Sequence, residues 1–451
     1  MADMRDVNPV IDGIAGRSLP GTANMATLAM IGVGVVGLGY GFGVAGAAWT
    51  WGAILVAIVY TMAVAQGGMM YAVVLTGTWA RWGRPLKRIG EALAFFLPFA
   101  YLALLVFLVG GLTIYAWHPG TIIEGGQVDL RPHSPEAWAS KELWLSPGFF
   151  MARHAIGFAL LLALDFFYLR ASLGPDMAMA RERLGDKTPK NFLWNLFGKS
   201  SNVDEARTRG IREQSTLVPF IALTYAVVFS GLAFDLLMSL SPWWFSNMFG
   251  GWIFMSSFWL GMATMGLVAM LSRDWLKLGD FVTTSVTHDL GKLLLAACMF
   301  WAYTTYAQLL PIWYTDMPEE TDYLLVRLFL PQWSWLARLV AITCFIAPFT
   351  ILLSRGVKKM RWPFAGVCVL IMCGLFLERS LLVLPSIYFG DTFPAVDFIL
   401  CNVFIWIGAL GVLGQVVGRV LATVPPLVVS DPYLDTHPWD VHVHSLDAAQ
   451  H

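Results

Sequence analysis

Charged residues are scarce in this chain of 451 residues. Lys, Arg, Asp and Glu together make up 13% of the sequence, 57% of the residues are hydrophobic, and the mean hydropathy is +0.64. A soluble globular domain carries about 25% charged residues. The composition therefore excludes an ordinary soluble domain and predicts an integral membrane protein. The formal net charge of −1 favours no class of partner, and we expect no nucleic-acid partner.

Motifs that bind redox cofactors are also missing. The five cysteines lie inside apolar segments, and none belongs to a CxxC or CxxCH pair. That pattern argues against a covalent haem, an iron–sulfur cluster and a disulfide framework. We expect Cys298, Cys344, Cys368, Cys373 and Cys401 to be packing residues.

No nucleotide-binding loop is recognisable either. The glycine-rich run GVGVVGLGYGFGVAG lies within an apolar segment. It predicts close helix packing by small residues rather than a phosphate cradle. The late histidines His442, His444 and His451 are too loosely arranged to indicate a metal site. The sequence thus predicts no catalytic residue and no metal ligand.

Long apolar segments dominate what is present. The first begins near Met25, after a polar tail, and is long enough to span a bilayer, so we expect a membrane helix rather than a cleaved signal peptide. Ten such segments predict an all-α protein with ten transmembrane helices: 25–46, 50–78, 90–116, 148–169, 216–240, 250–272, 287–313, 333–354, 362–384 and 395–423. The corresponding regions are a tail over 1–24, helices 1–5 over 25–240, helices 6–10 over 241–423, and a tail over 424–451.

Basic residues fall on one side of these segments. By the positive-inside rule this distribution predicts that both termini are cytoplasmic. The basic loop residues are Arg81, Arg84, Lys87 and Arg88 after helix 2, Arg170, Arg181, Arg183, Lys187, Lys190, Lys199, Arg207, Arg209 and Arg212 after helix 4, Arg273 and Lys277 after helix 6, and Arg355, Lys358, Lys359 and Arg361 after helix 8. Only Arg131, Lys141 and Arg327 fall on the other side. We expect 170–215 to be a polar loop that contacts a partner or anionic lipid, or is a solvated linker.

Helix 7 begins with a polar cluster. His288 and Asp289 lie four and three residues before Lys292, spacings that bring side chains together on a helix. Tyr303 and Tyr306 continue the same stripe. An ionisable cluster inside a membrane is costly and indicates function. The alternative is that the cluster lies in the headgroup layer, satisfied by water and one ion pair.

Other polar residues interrupt the apolar helices. His154 and Asp165 share one face of helix 4, about 16 Å apart. Histidine and carboxylate groups can hydrogen-bond a quinol and accept its protons. The alternatives are an interfacial histidine and an ion pair between Asp165 and Arg170. Gln66 lies near the middle of helix 2, and Asp235 lines a polar pocket or anchors the outer surface.

Helix 9 carries Glu378 and Arg379 side by side. Adjacent residues point about 100° apart on a helix, so each is expected to need a partner from another helix. Asp397 of helix 10 is the candidate partner of Arg379. The alternative to a role in proton transfer is a structural ion pair between helices.

Together these groups predict an inner and an outer half-path for protons, separated by an apolar middle. The inner candidates are His288, Asp289, Lys292 and Asp165, the intermediates are Tyr303 and Tyr306, and the outer candidates are Asp235, Glu378, Arg379 and Asp397. A haem with two histidine ligands is not expected, because His154 and His288 lie at opposite depths and His118 is at the edge of helix 3.

Two segments carry a resemblance to a known family. FDLLMSLSPWWFSNMFGGW and HDLGKLLLAACMFWAYTTYAQLLPIWYTDMPEET, within ten segments of these lengths, resemble the ActF-type membrane subunits of bacterial alternative complex III, in the NrfD/polysulfide-reductase family. The resemblance implies two four-helix bundles, helices 2–5 and helices 6–9, flanked by helices 1 and 10. It also implies a quinol site in the first bundle toward the outer side, which makes His154, Asp235 and Gln66 the quinol-binding candidates.

The resemblance further implies a multisubunit quinol:cytochrome c (electron-acceptor) oxidoreductase in the bacterial cytoplasmic membrane. Its partners would be a homologous quinol-binding subunit, an iron–sulfur subunit, c-type cytochrome subunits, small membrane subunits and lipids, with a terminal oxidase as a further candidate. Haem c and iron–sulfur clusters would belong to those partners, and this chain would bind no cofactor beyond quinol or menaquinol. The alternatives are a purely structural subunit, an anchor for another oxidoreductase of the family, and a stand-alone secondary transporter.

Overall fold

The computed structural model describes residues 6–123, 141–198 and 202–434. These ranges are helical and contain no β-strand. The late histidines of the C-terminal tail and Arg131 lie outside the described residues.

Ten helices of the described chain are long and apolar enough to cross a membrane, which confirms the prediction of a multi-pass, all-helical membrane protein. They are α1 (Gly21–Ala45), α2 (Ala47–Gly77), α3 (Arg84–Ile114), α4 (Pro147–Lys187), α5 (Val203–Leu240), α6 (Phe249–Ser272), α7 (Thr284–Thr315), α8 (Pro331–Leu353), α9 (Arg361–Ser386) and α10 (Ala395–Thr423). Shorter helices cover Asn8–Asp12, Phe192–Phe197, Pro318–Leu328 and Arg355–Lys359.

Helix α2 is the most buried of the ten and lies at the centre of the molecule. It packs against α3, α5, α6, α9 and α10. Around it, α4 contacts α3 and packs along α5, while α6 contacts α7 and α9, and α8 lies between α7 and α9. Helices α1 and α10 pack along each other at the periphery.

The expected loop over 170–215 is mostly helix, so that prediction was wrong. Helix α4 continues to Lys187 and α5 already begins at Val203. The Asn202 side chain accepts a hydrogen bond from the Glu205 backbone N–H at 3.2 Å and so caps α5. Gly210 lets α5 pack closely on α4, because a Cβ there would lie 2.5 Å from the Ala171 carbonyl oxygen. Tertiary packing therefore extends both helices through a polar sequence.

Glycine residues face each other where α1 packs against α10 and where α2 packs against α6, so the helix backbones approach closely. A Cβ atom on Gly34 of α1 would lie 2.5 Å from the Gly408 Cα of α10, and one on Gly261 of α6 would lie 2.2 Å from the Gly67 carbonyl carbon of α2. Gly37, in the same run as Gly34, also faces α10. The predicted role of the glycine-rich run in close helix packing is confirmed.

Substituting Gly261 by alanine is expected to destabilise the fold by about 1–3 kcal/mol, because α2 and α6 must separate to admit the methyl group. Gly366→Ala is the matched control, since a Cβ on Gly366 of α9 meets no atom within 4 Å. That variant is expected to be neutral or slightly stabilising through helix propensity. Unfolding in mixed micelles measures both, and equal stability of the two variants would contradict the prediction.

Both tails lie at the same end of the molecule, which we call the tail end. Asp12 pairs with Arg183 near the end of α4 at 2.6 Å. The hydrogen bond from Arg183 holds the pKa of the Asp12 carboxyl below its usual range. On the C-terminal side, the Ser430 backbone N–H donates to the Asp176 carboxylate of α4 at 2.8 Å. The opposite end is called the far end below.

At the far end, a short helix that was not predicted from the sequence follows α7. Pro318–Leu328 docks through Arg327, which donates to the Leu382 carbonyl oxygen at 2.9 Å and to the Ser386 hydroxyl at 2.6 Å. The guanidinium also stacks 3.5 Å from the centre of the Tyr323 ring. Arg327 is thus a buried docking residue, and burial lowers its pKa.

Candidate functional site

A histidine and a carboxylate meet between α4 and α5 toward the far end. Nε2 of His154 lies 3.5 Å from Oδ2 of Asp235, and both side chains are buried. The Nδ1 atom of His154 lies 2.9 Å from the Phe150 carbonyl oxygen. Because a carbonyl only accepts, Nδ1 carries a proton, and in neutral imidazole Nε2 is then an acceptor. Nε2 is buried without a hydrogen-bond partner. We call His154 and Asp235 the outer pair.

Two further donors hold the Asp235 carboxylate in place. The Trp144 indole donates to Oδ1 at 2.8 Å, and Nε of Arg153 donates to Oδ2 at 2.7 Å. Asp235 itself lies in a π-helical turn, Ala233–Leu237. Such turns occur frequently at functional sites because the wider turn redirects side chains. The outer pair is therefore a fixed carboxylate beside an imidazole nitrogen that makes no hydrogen bond within the described chain.

Gln66 and Asp165 meet deeper in the molecule, and we call them the middle pair. The Gln66 side chain of α2 lies close enough to the Asp165 carboxyl of α4 to interact with it. Both are fully buried, and none of their four side-chain polar atoms makes a hydrogen bond of ordinary geometry within the described residues. The expected ion pair between Asp165 and Arg170 was wrong, because Arg170 points outward and is exposed. Gln66 therefore lies beside Asp165 and not beside the outer pair.

A larger cluster, called the inner cluster, is buried at the tail end. It combines three cations with three carboxylates, so its formal charges balance. Its members are Arg84, Lys87, Arg88, Glu91, Asp176 and Asp431. The sequence placed Arg84, Lys87 and Arg88 in the loop after helix 2, and that prediction was wrong. They open α3 and are buried, because the carboxylates around them compensate their charge.

Arg88 is the centre of the inner cluster. Its guanidinium bonds both to Glu91, one turn along α3, and to Asp176 of α4. Glu91 also accepts a hydrogen bond from the Ser172 hydroxyl at 2.7 Å. Lys87 donates to the Gln214 side chain of α5 at 2.7 Å. The cluster therefore ties α3, α4 and α5 together.

The C-terminal segment covers the inner cluster. Asp431 pairs with Arg84 at 2.7 Å, and Ser430 bonds to Asp176 as described above. A pocket of about 40 Å³ remains beneath this segment, lined by Lys87, Ser172 and Gln214 among others. A buried cavity needs roughly 10–15 Å³ to hold one water molecule. The pocket is thus large enough and polar enough for water.

One face of α4 connects these three sites. Its buried polar residues recur at helical spacing along the length of the helix. They are His154, Asp165, Tyr168, Ser172 and Asp176. The 22 residues between the first and the last correspond to about 33 Å of helix. That length matches the hydrocarbon thickness of a bilayer, about 30 Å.

The glutamate and arginine of α9 pair with each other. Glu378 bonds directly to Arg379 and accepts the Trp301 indole N–H of α7 at 2.6 Å. Arg379 also donates to the Ser256 hydroxyl of α6 at 2.7 Å. The two side chains leave the helix about 100° apart, but the long arginine side chain can fold back toward Glu378. Each residue also has a partner from another helix, Trp301 for Glu378 and Ser256 for Arg379, so that prediction is confirmed alongside the direct pair.

Asp397 is not the partner of Arg379. It accepts a hydrogen bond from the Tyr40 hydroxyl at 2.8 Å, and its backbone carbonyl accepts the Trp49 indole N–H at 3.1 Å. These contacts join α10 to α1 and α2. The predicted pairing of Asp397 with Arg379 was wrong, and Asp397 holds peripheral helices together instead.

The polar stripe of α7 faces outward. Lys292 pairs with Asp289 at 2.5 Å, as the helical spacing predicts, but its side chain is 55% exposed. Tyr303 and Tyr306 are 64% and 62% exposed. His288 is partly buried and its Nδ1 lacks a hydrogen-bond partner within the described residues. The described structure therefore brings Lys292, Tyr303 and Tyr306 to a surface rather than to an interior path, and leaves His288 and Asp289 partly buried at the start of α7.

Sequence reasoning missed Asp176, Ser172 and the burial of Arg88. The signal was present in helical spacing: Asp176 lies 11 residues after Asp165, which itself lies 11 residues after His154. Eleven residues are close to three full turns, so the three side chains share a face. Similarly, Glu91 follows Arg88 by three residues, the spacing of a helical ion pair.

Comparison with models of known protein families gives no match for this chain. A search among curated proteins likewise gives no significant match.

Proposed function

We propose that this chain is a proton-handling membrane subunit of a quinol:electron-acceptor oxidoreductase of the alternative-complex-III type, in the bacterial cytoplasmic membrane. The observation that carries the proposal is the line of buried polar groups along α4, from His154 to Asp176. Ionisable groups inside a membrane are expensive and usually mark proton or substrate paths. In this proposal the tail end is cytoplasmic, in agreement with the basic residues there.

The helix contacts support the implied arrangement of two bundles. Helices α2, α3, α4 and α5 contact one another in a ring, and α6, α7, α8 and α9 form a second ring. All three sites along α4 belong to the first ring. The proposed path therefore runs through the first bundle. In the second bundle, the ion pair of Glu378 and Arg379 holds neighbouring helices together.

The outer pair is the proposed quinol site. A quinol hydroxyl needs a proton acceptor, and Nε2 of His154 is an acceptor without a partner. As that nitrogen takes up a proton, the adjacent carboxylate of Asp235 stabilises the resulting imidazolium. The electrons would pass to the haem and iron–sulfur groups of partner subunits, because this chain has no redox motif. Purification with those partners would separate this proposal from a stand-alone transporter.

The middle pair and inner cluster form the proposed cytoplasmic half-path. Asp165 can take up and release a proton, while the inner cluster offers Glu91, Asp176 and a small polar pocket on the tail-end side. Phe158 and Leu161 separate Asp165 from His154 on the same face of α4. This apolar layer keeps the two half-paths apart. Coupling of proton movement to quinol oxidation requires such a separation.

Asp165→Asn is expected to lower proton uptake from the tail-end side by at least about tenfold, because the amide cannot act as a proton acceptor in the half-path. The measurement is the change in pH inside liposomes that contain the assembled complex, followed with a trapped dye during quinol oxidation. Asp397→Asn is the matched control, since it makes the same chemical change at a helix-joining carboxylate. Equal effects of the two variants, or no effect of Asp165→Asn, would refute the half-path.

A further inference from the structure

A basic cleft opens outward between α4 and α5, on the tail-end side of the apolar parts of the two helices. It has a volume of about 630 Å³, within the range of about 300–1,000 Å³ typical of small-molecule sites. Arg170 of α4 and Arg209 and Arg212 of α5 line it. All three arginines are exposed to the surroundings of the chain. The cleft is separate from the line of buried groups on the inward face of α4.

The charges in this cleft are only partly compensated. Arg209 pairs with Glu213 at 2.7 Å, one turn further along α5. Arg170 and Arg212 take part in none of the ion pairs found among the described residues. Three arginines and one glutamate leave a formal charge of +2 in the cleft. It is therefore suited to an anion.

One wall of the cleft is apolar and leads toward the membrane interior. Phe167, one turn before Arg170 on α4, lines the cleft and is 52% exposed. On α5 the apolar surface continues beyond Arg212 through Phe220 and Leu223, which are 58% and 68% exposed. The same cleft thus presents charge at the membrane boundary and an apolar surface beside it.

We propose that this cleft binds the phosphate headgroup of an anionic phospholipid, whose acyl chains lie along the exposed apolar surface of α4 and α5. The planar guanidinium groups match phosphate oxygens through paired hydrogen bonds. Basic pockets between membrane helices on the cytoplasmic side favour such headgroups. A soluble phosphate would use the arginines but not the apolar wall, so the geometry favours the lipid. The assignment does not depend on the proposed function.

The test compares two charge-matched double variants of the full chain. R170Q/R212Q removes the unpaired arginines of the cleft, whereas K187Q/K190Q removes two exposed lysines near the end of α4 that lie outside it. Native mass spectrometry measures the binding of added phosphatidylglycerol and of phosphatidylcholine to each. We expect R170Q/R212Q to weaken phosphatidylglycerol binding by about thirtyfold, since two arginine contacts at the membrane boundary are lost. K187Q/K190Q should stay close to the unmodified protein, and phosphatidylcholine should bind weakly throughout.

Three results would overturn the proposal. Equal losses in the two double variants would mean that only overall charge attracts the lipid. Equal binding of phosphatidylcholine and phosphatidylglycerol would mean that the arginines do not select an anion. Release of the lipid by millimolar inorganic phosphate would assign the cleft to a soluble anion. Because all four substituted residues are exposed, their removal is not expected to unfold the chain, and the elution volume of each variant checks this.

Discussion

Replacing Arg88 by methionine is expected to destabilise the folded chain by about 3–5 kcal/mol, the usual cost of removing one partner from a buried ion pair. Arg88 is 1% exposed and bonds to both Glu91 and Asp176. Without it, two carboxylates would remain in the interior beside Lys87 alone, which lies 3.9 Å from Glu91. The loss should also loosen the contacts among α3, α4 and α5, because these residues join the three helices.

Arg183→Met provides the matched control for this effect. Arg183 also makes two hydrogen bonds to a carboxylate, that of Asp12, but both side chains are exposed to solvent. Water replaces an exposed pair at little cost, so no comparable loss is expected. Unfolding in mixed micelles with increasing denaturant measures both variants. If the two variants unfold at the same denaturant concentration, the inner cluster is not a stabilising centre.

Replacing His154 by glutamine is expected to slow quinol oxidation by the assembled complex by about 10²–10⁴-fold, the usual contribution of a general base. Glutamine retains a polar side chain of similar length but cannot accept a proton from a quinol hydroxyl. The carboxylate of Asp235, 3.5 Å from Nε2, would then have no imidazolium to stabilise. The measurement is the rate at which an added quinol reduces the haem of the partner cytochromes.

His118→Gln is the control, because His118 lies at the same end of the molecule and its ring accepts a hydrogen bond from the nearby Gly120 N–H. Subunit content and thermal stability of the complex should be unchanged in both variants, which separates chemistry from assembly. An unchanged rate of quinol oxidation in His154→Gln would show that His154 does not belong to a quinol site in this chain. The proton half-path would still stand if Asp165→Asn alone lost proton uptake, so the two parts of the proposal can fail separately.

The outward position of Tyr303 and Tyr306 revises the predicted proton path. Helical spacing correctly placed them on one stripe with Lys292, but spacing alone cannot tell which way a stripe faces. The neighbouring helices decide that, and the contacts of α7 with α6 and α8 leave the stripe on the outside. Asp165 and Asp235, two other candidates from the sequence, are buried along the first bundle.

The class of protein follows from composition and hydrophobic pattern alone. A chain with 57% hydrophobic residues and ten long apolar segments has to satisfy its backbone hydrogen bonds internally, and helices do so within each segment. Local spacing also predicted the Asp289–Lys292 pair and the glycine contacts of α1, because these depend on helical geometry alone. His154 and Asp235 were identified as ionisable groups in apolar segments, and the family resemblance made them, with Gln66, the quinol-binding candidates.

Only the tertiary structure decided which polar groups meet. The sequence placed Arg88 in the basic loop after helix 2, whereas in the structure Glu91 and Asp176 compensate its charge in the interior where α3 and α4 pack. Arg379 pairs with Glu378 rather than with Asp397, because the packing of α1 against α10 places the Asp397 carboxylate beside the Tyr40 hydroxyl. Helix periodicity shows which residues share a face of one helix, but it does not show that the packing of α3 on α4 brings Asp176 to Arg88.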